Sequence, residues 1–78
     1  MSPTILRVRS YQFHFYSREE SRPHVHVRTP DGKAKFWLEP QVELADSSNL
    51  AQRELRQLEE LVTEYQDDFR TAWSEHFG

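Results

Sequence analysis

The sequence has no cysteine among its 78 residues, which excludes disulfide bonds and metal sites that depend on thiolate ligands. No apolar run approaches the length of about 20 residues that a membrane-spanning helix needs. The first residues also lack the apolar segment that is typical of a secretory signal. These absences predict a cytoplasmic protein that makes no membrane contact and is stabilised by packing rather than by cross-links.

The chain is short enough to predict one domain over residues 1–78, near the lower size limit for a self-sufficient core. Ten aromatic residues (five Phe, three Tyr and two Trp) are expected to supply much of that core. The net charge of −3 hides an asymmetry: residues 1–40 hold seven basic and four acidic residues, whereas residues 41–78 hold three and nine. The balance of +3 in the first part suits an anionic partner.

The first part of the chain alternates between apolar and polar residues, which is typical of β-strands. The segments TILRV, YQFHFY, HVHVR and KAKFWL each predict one strand, and residues 42–44 predict a short fifth one. Residues 1–44 are therefore expected to be mainly strands. In YQFHFY, alternation separates an apolar face of Tyr11, Phe13 and Phe15 from a second face of Gln12, His14 and Tyr16.

A turn signal, PDGK, joins HVHVR to KAKFWL, because Asp31-Gly32 suits the positive φ angles of a hairpin loop. A loop of two or four residues sets the two valines of HVHVR beside Phe36, whereas a loop of three sets them beside Lys35. The apolar match favours the even-numbered loops. The opposite face of the sheet then carries His24, His26, Arg28, Lys35, Trp37 and Glu39, joined by His14 and Tyr16.

Residues 51–76 are predicted to form one helix with an apolar stripe, made of Leu55, Leu58, Val62, Tyr65, Phe69, Ala72 and Trp73. A straight helix of this length runs about 40 Å, so it must either bend or extend beyond the sheet and mediate homo-oligomer contacts. Asn49 is the best candidate for its N-cap, with Ser48 the alternative. The predicted fold is α+β: a small antiparallel sheet of three to five strands packed against one long C-terminal helix.

The histidines of RPHVHV, His24 and His26, lie one residue apart on a predicted strand, with backbones about 7 Å apart on one face. This pair could chelate a metal if His14 or Glu39 supplied the third ligand that catalytic zinc sites need. A single pair lacks the spacing of a zinc motif, however, so no metal and no cofactor are predicted. The ordinary alternative is a strand whose solvent face carries imidazoles.

The same face suits acid–base chemistry, since histidine titrates near neutral pH. The predicted catalytic residues are His24, His26 and Tyr16. The predicted substrate-binding residues are Arg22, Arg28 and Lys35, which would hold phosphate, and Trp37, which would stack on a base. Such a set could cleave RNA without a metal, with one histidine as base and the other as acid. The alternative is an ordinary strand surface of mixed charge.

Several segments together resemble a small bacterial family, domain-of-unknown-function family 4160: PTILRV, YQFHFYS, RPHVHV, KAKFWLEP, REL and the Trp-containing C-terminal helix. The resemblance covers nearly the whole chain. Members of that family are typically encoded next to a second small domain, family 2442, and such pairs look like type II toxin–antitoxin modules with this family in the toxin position. The resemblance implies an antiparallel sheet packed against a C-terminal helix, and it implies no particular mechanism.

Two positions depart from the family pattern. His14 stands where the family more often carries an aromatic residue, which disfavours a three-histidine metal site. Ala51 stands where a helix-capping Ser is usual, so Glu54 lacks its capping-box partner. The matching residues are Phe15, Tyr16, Ser17, Pro23, His24, His26, Val27, Ala34, Lys35, Phe36, Trp37, Leu38, Arg53, Glu54 and Leu55.

These observations predict a toxin-like component of a bacterial toxin–antitoxin module. It is expected to act on an intracellular target, such as RNA or the translation machinery, and to be neutralised by a small antitoxin-like partner encoded beside it. The alternative is a non-enzymatic interaction module that binds a small partner protein through its sheet and helix. A metal-dependent hydrolase is a third, weaker hypothesis.

Overall fold

A computed structural model describes residues 4–16 and 21–77 of the chain. Five strands form one antiparallel sheet in chain order and are followed by two helices, which confirms the predicted α+β class. The elements are β1 (Thr4–Val8), β2 (Tyr11–His14), β3 (His24–Arg28), β4 (Lys33–Trp37), β5 (Glu43–Ser48), α1 (Gln52–Glu64) and α2 (Gln66–Phe77). Neither of these helices has both the length and the hydrophobicity that crossing a bilayer requires.

The pairing of β3 with β4 follows the predicted register. Val25 lies opposite Phe36 and Val27 opposite Ala34, and all four side chains are buried. The last paired residues, Arg28 and Lys33, leave a loop of four residues between the strands. Because the side-chain period of a strand is two, this even-numbered loop keeps the apolar residues of both strands on one face.

The conformation of that loop differs from the prediction. Positive φ angles occur at Arg9 and Asn49 in the described chain, and neither Asp31 nor Gly32 has one. Instead the hydroxyl of Thr29 accepts hydrogen bonds from the backbone N–H groups of Asp31 (3.1 Å) and Gly32 (3.0 Å). A side-chain oxygen therefore organises this turn, as Thr commonly does in loops.

The predicted single helix is wrong: the helical segment is divided at Tyr65, whose φ and ψ angles are −101° and 14°. A straight helix over residues 52–77 would run about 39 Å, whereas the longest extent of the molecule is 33 Å. The break lets α2 turn back onto the sheet. Tyr65 continues the apolar stripe, so periodicity alone does not reveal the break.

The segment before α1 also differs from the prediction. The fifth strand starts at Glu43 and continues to Ser48, so it is longer than the three residues expected, and strand structure extends past residue 44. The N-cap of α1 is Ala51, which makes no side-chain capping bond. Asn49 and Ser48, the candidates from sequence, do not occupy the N-cap, because Asn49 adopts a left-handed turn (φ 59°) after β5.

Both helices pack on the apolar face of the sheet. Phe69 of α2 lies 5.3 Å from Phe13 of β2 between ring centroids, and Leu58 and Val62 of α1 are fully buried in the same cluster. Arg70 ties α2 to the end of β4 by donating a hydrogen bond to the carbonyl oxygen of Leu38 (2.6 Å). The helices thus occupy one face and leave the opposite face of the sheet, called here the outer face, for a site.

Candidate functional site

Polar side chains form a row across the outer face of the sheet. His14 on β2 pairs with His26 on β3, His26 pairs with Lys35 on β4, and Lys35 pairs with Asp46 on β5. A directly opposed pair of residues points to the same face of a sheet. Two imidazoles, an ammonium group and a carboxylate therefore lie side by side across four strands.

Asp46 reaches this row because of an irregularity in β5. Phe36 pairs with Leu44, but its neighbour Lys35 pairs with Asp46, so Ala45 is an extra residue in β5. A bulge of this kind shifts the alternation of the strand by one position. Without it, Ala45 rather than a carboxylate would lie opposite Lys35.

The row borders a cavity of about 160 Å³, called here the outer-face pocket. Three basic side chains, one carboxylate and two imidazoles contribute to its wall, so its charge balance is +2 with neutral histidines. A cavity of this size lies below the range of about 300–1,000 Å³ that is usual for sites enclosing a drug-sized ligand. The lining residues are His14, Tyr16, His26, Val27, Arg28, Lys33, Ala34, Lys35, Asp46, Ser47 and Ser48.

Three aromatic rings pack against one another at the wall of this pocket. The imidazoles of His14 and His26 are stacked, with centroids 5.6 Å apart and planes 18° apart. The phenol ring of Tyr16 lies 4.4 Å from His26 and 4.9 Å from His14, and Tyr16 is 38% exposed. A partly exposed hydroxyl-bearing ring thus adjoins both imidazoles, and this places three groups capable of proton transfer in one pocket.

His24 lies on the predicted face of the sheet, opposite Trp37, and its ring centroid is 5.1 Å from that of His26. It is fully buried, with its ring 4.9 Å from Trp73 of α2 and 5.6 Å from Trp37. Its Nδ1 lies 2.6 Å from the carbonyl oxygen of Arg22, and because a carbonyl only accepts, Nδ1 donates this bond. The expectation of a solvent-facing His24 is wrong, because α2 covers the end of β3 where it lies.

The predicted substrate-binding residues divide into two groups. Arg28 and Lys35 line the outer-face pocket. Arg22 and Trp37 lie beside it and contact each other, with the guanidinium carbon 4.1 Å from the centre of the indole ring. Lys35 connects the two groups, since its Nζ is 4.5 Å from the same ring.

Some pocket residues were not predicted as site residues. Alternation predicts the correct face for His14 and suggests it as a metal ligand, whereas the pairing with His26 shows that it lies beside the second imidazole. Lys33 and Ser48 are brought to the pocket by the pairing of β4 with β5. No pattern in the sequence marks the bulge at Ala45, so the position of Asp46 could not be derived from alternation.

The predicted alternatives for a metal site are not assembled. Within residues 4–16 and 21–77, no group of three or more His, Cys, Asp or Glu side chains is arranged to hold a metal ion. Glu39, considered as a third ligand, forms an ion pair with Arg70 of α2 instead. Of the remaining candidates, His24 contacts His26, with ring centroids 5.1 Å apart, but it is buried beside Trp37 and Trp73 and does not line the pocket.

The fold and the pocket define a small α+β domain with a cationic, histidine-containing site on the open face of an antiparallel sheet. The chain belongs to the family described as domain of unknown function DUF4160, which matches residues 10–74, or 65 of its 78 residues. This match confirms the family resemblance. Comparison with curated proteins and with solved structures finds no match in either.

Proposed function

We propose that this protein is a toxin-like component of a toxin–antitoxin module and that it cleaves RNA at the outer-face pocket. The observation that supports the proposal is the stacked pair His14 and His26 in a cavity with three basic side chains. His14 replaces His24 in the proposed catalytic pair, because His24 is fully buried outside the pocket. Tyr16 keeps its proposed place beside both imidazoles.

The proposed reaction needs one base, one acid and a stabilised phosphate. A neutral imidazole removes the proton of a ribose 2′-hydroxyl, and the oxygen attacks the adjacent phosphorus. The bond from phosphorus to the 5′-oxygen breaks, and the second histidine, as imidazolium, gives that oxygen a proton. The products are a 2′,3′-cyclic phosphate and a 5′-hydroxyl, so no metal or redox partner is required.

The charges of the pocket support a phosphodiester as the substrate. Arg28, Lys33 and Lys35 approach from β3 and β4, and Asp46 is the single carboxylate among the lining residues. Basic side chains that are already in position stabilise the charge that develops on the phosphate oxygens. The cavity is large enough for a phosphate group with part of its ribose and too small to enclose a folded RNA.

The activity is tested with a single-stranded oligoribonucleotide in buffer containing EDTA. We expect cleavage by the unaltered protein to yield 5′-hydroxyl ends. His14→Ala and His26→Ala should each lower kcat by about 100-fold or more, since general acid–base catalysis contributes factors of this order. His76→Ala, which removes an exposed histidine of α2, is the matched control and should retain full activity.

Growth measurements test the biological part of the proposal. Induced expression of the unaltered protein should arrest growth, and His26→Ala should relieve the arrest while its circular dichroism spectrum stays unchanged. Co-expression of the small protein encoded beside it should also restore growth. Undiminished arrest by a folded His14→Ala/His26→Ala variant would eliminate the catalytic assignment.

The alternative of an interaction module that accepts a partner strand has weaker structural support. Both edge strands are irregular, with register shifts between Thr4 and Leu6 in β1 and opposite Lys35 in β5. In addition, the carboxylate of Asp46 accepts a hydrogen bond from the backbone N–H of Ser47 at 2.9 Å. Bulges and charged residues on edges are features that discourage pairing with another chain.

A further inference from the structure

The Arg22 side chain is held over Trp37 by contacts on several sides. Its guanidinium carbon lies 4.1 Å from the centre of the indole ring. Its Nε donates a hydrogen bond to the carbonyl oxygen of Glu39 (2.9 Å), and its terminal nitrogen lies 3.9 Å from the carboxylate of Glu43. These contacts hold the guanidinium over the indole ring, and a planar group that is already held in place loses little rotamer entropy when a second ring stacks on it.

The stacked guanidinium remains accessible to a ligand. The Arg22 side chain is 41% exposed although one of its faces is covered by Trp37. Glu39 and Glu43 contact its nitrogens, and the exposed part of the side chain leaves room for a ligand. A guanidinium plane of this kind is one of the surfaces on which an unpaired nucleobase stacks.

Lys35 places this stack next to the outer-face pocket. Its ammonium nitrogen is 4.5 Å from the centre of the Trp37 ring, and the same side chain lines the pocket that holds His14 and His26. Lys35 and Trp37 alternate on one face of β4, about 7 Å apart along the strand. One nucleotide can therefore place its phosphate at Lys35 and its base beyond it.

We infer that Arg22 and Trp37 form a stacking subsite for the nucleobase next to the phosphate bound in the pocket. Arg22 is thereby assigned to base stacking rather than to phosphate contact. The inference rests on the proposed function and names its substrate: single-stranded RNA, because a base held in a duplex cannot unstack onto the guanidinium without breaking its pair.

Binding of a 2′-O-methyl oligonucleotide tests the subsite separately from catalysis, because this oligonucleotide lacks the hydroxyl that attacks phosphorus. Affinity is measured for the intact strand and for strands with an abasic site at each position. Arg22→Lys keeps the positive charge but removes the planar guanidinium. It should lower the affinity for the intact strand by about 10-fold, which is in the range of one base stack. For the strand lacking the stacked base, the same substitution should change the affinity less than 2-fold.

Arg28→Lys is the matched control, because Arg28 lines the pocket, whereas Arg22 lies over the Trp37 ring. It should affect intact and abasic strands equally. If Arg22→Lys weakened both strands equally, Arg22 would be a charge contact and the stacking assignment would be wrong. Tighter Arg22-dependent binding of a polyglutamate peptide than of the oligonucleotide would assign the surface to an acidic protein segment and would also overturn it.

The two proposals fail in different ways. Base-dependent binding without cleavage of the unmodified RNA would overturn the nuclease function and leave the stacking subsite standing. Cleavage with no difference between intact and abasic strands would overturn the subsite and leave the nuclease function standing. A protein that neither cleaves nor binds the oligonucleotide would exclude both.

Discussion

Gly32 is required by its neighbours rather than by its backbone angles. A Cβ atom at this position would collide with the backbone oxygen of Ser48 and lie 2.9 Å from that of Asn49. Both contacts are with backbone, which yields less readily than a flexible side chain. Gly32→Ala should therefore lower the free energy of unfolding by about 1–3 kcal/mol, the usual cost of overpacking, measured by urea denaturation.

Asp31→Ala provides the control for that substitution, because Asp31 is an exposed neighbour in the same turn. Its backbone N–H bond to the Thr29 hydroxyl does not depend on the side chain. We expect a change of no more than about 0.5 kcal/mol. Equal destabilisation by the two substitutions would show that the loop sequence, rather than the approach of Ser48, determines stability here.

Individual positions also show what alternation can and cannot predict about the site. Alternation placed His14, His26 and Lys35 on one face, because a strand repeats every two residues and this holds wherever the strand is regular. It also placed His24 on that face, but it does not reveal that His24 is buried, because the burial depends on Trp73, nearly fifty residues away in the chain. It gives no position for Asp46, which lies beyond the predicted strand of residues 42–44 and after a bulge in β5.

At the scale of the helices, α1 begins without the side-chain bond that usually caps such a segment. Ala51 is the N-cap with an extended backbone (φ −74°, ψ 159°), and Glu54 is the third helical residue. Ala51→Ser would supply an oxygen for the N–H of residue 54 and complete a capping box with its carboxylate. The expected gain is about 1 kcal/mol, or a rise in Tm of about 4–8 °C for a domain of this size.

Calorimetry of two variants separates capping from a general effect of residue 51. Ala51→Val introduces no acceptor oxygen and should not raise the Tm. Combining Ala51→Ser with Glu54→Ala should retain only part of the increase in Tm, since one of the two reciprocal bonds is lost. An equal rise in Tm for Ala51→Val and Ala51→Ser would contradict the capping explanation.

The family resemblance and the hydrophobic pattern contributed differently to the prediction of α1 and α2. The departure at Ala51 was evident from comparison with the family pattern and agrees with the uncapped helix start. A bend was one of the two predicted outcomes for a helix of this length, but its position at Tyr65 was not predicted. At this position the Gln66 side chain donates a hydrogen bond to the carbonyl oxygen of Thr63 (2.9 Å). Neither Gly nor Pro marks the break in the sequence. Only the limited length of the sheet indicates that the helix must change direction.

At the scale of the whole molecule, charge is separated by the fold. The outer face of the sheet carries Arg28, Lys33 and Lys35 around the pocket, whereas most acidic residues of the second half of the sequence lie on helices that pack against the other face. An approaching polyanion is therefore attracted to one side and repelled by the other. The asymmetry along the sequence thus becomes an asymmetry between two faces of the domain.

Phe69 is the buried residue of α2 in the core that this helix shares with the sheet. Phe69 is fully buried against Phe13, whereas Phe77 on the same helix is 37% exposed. Phe69→Ala should cost about 3–5 kcal/mol, a large part of the roughly 4–12 kcal/mol expected for 78 residues. Phe77→Ala should lower the free energy of unfolding by about 1 kcal/mol or less, because the Phe77 side chain is already partly exposed to solvent. Urea midpoints measured on both variants test this, and equal shifts would mean that α2 is held by its end rather than by the core.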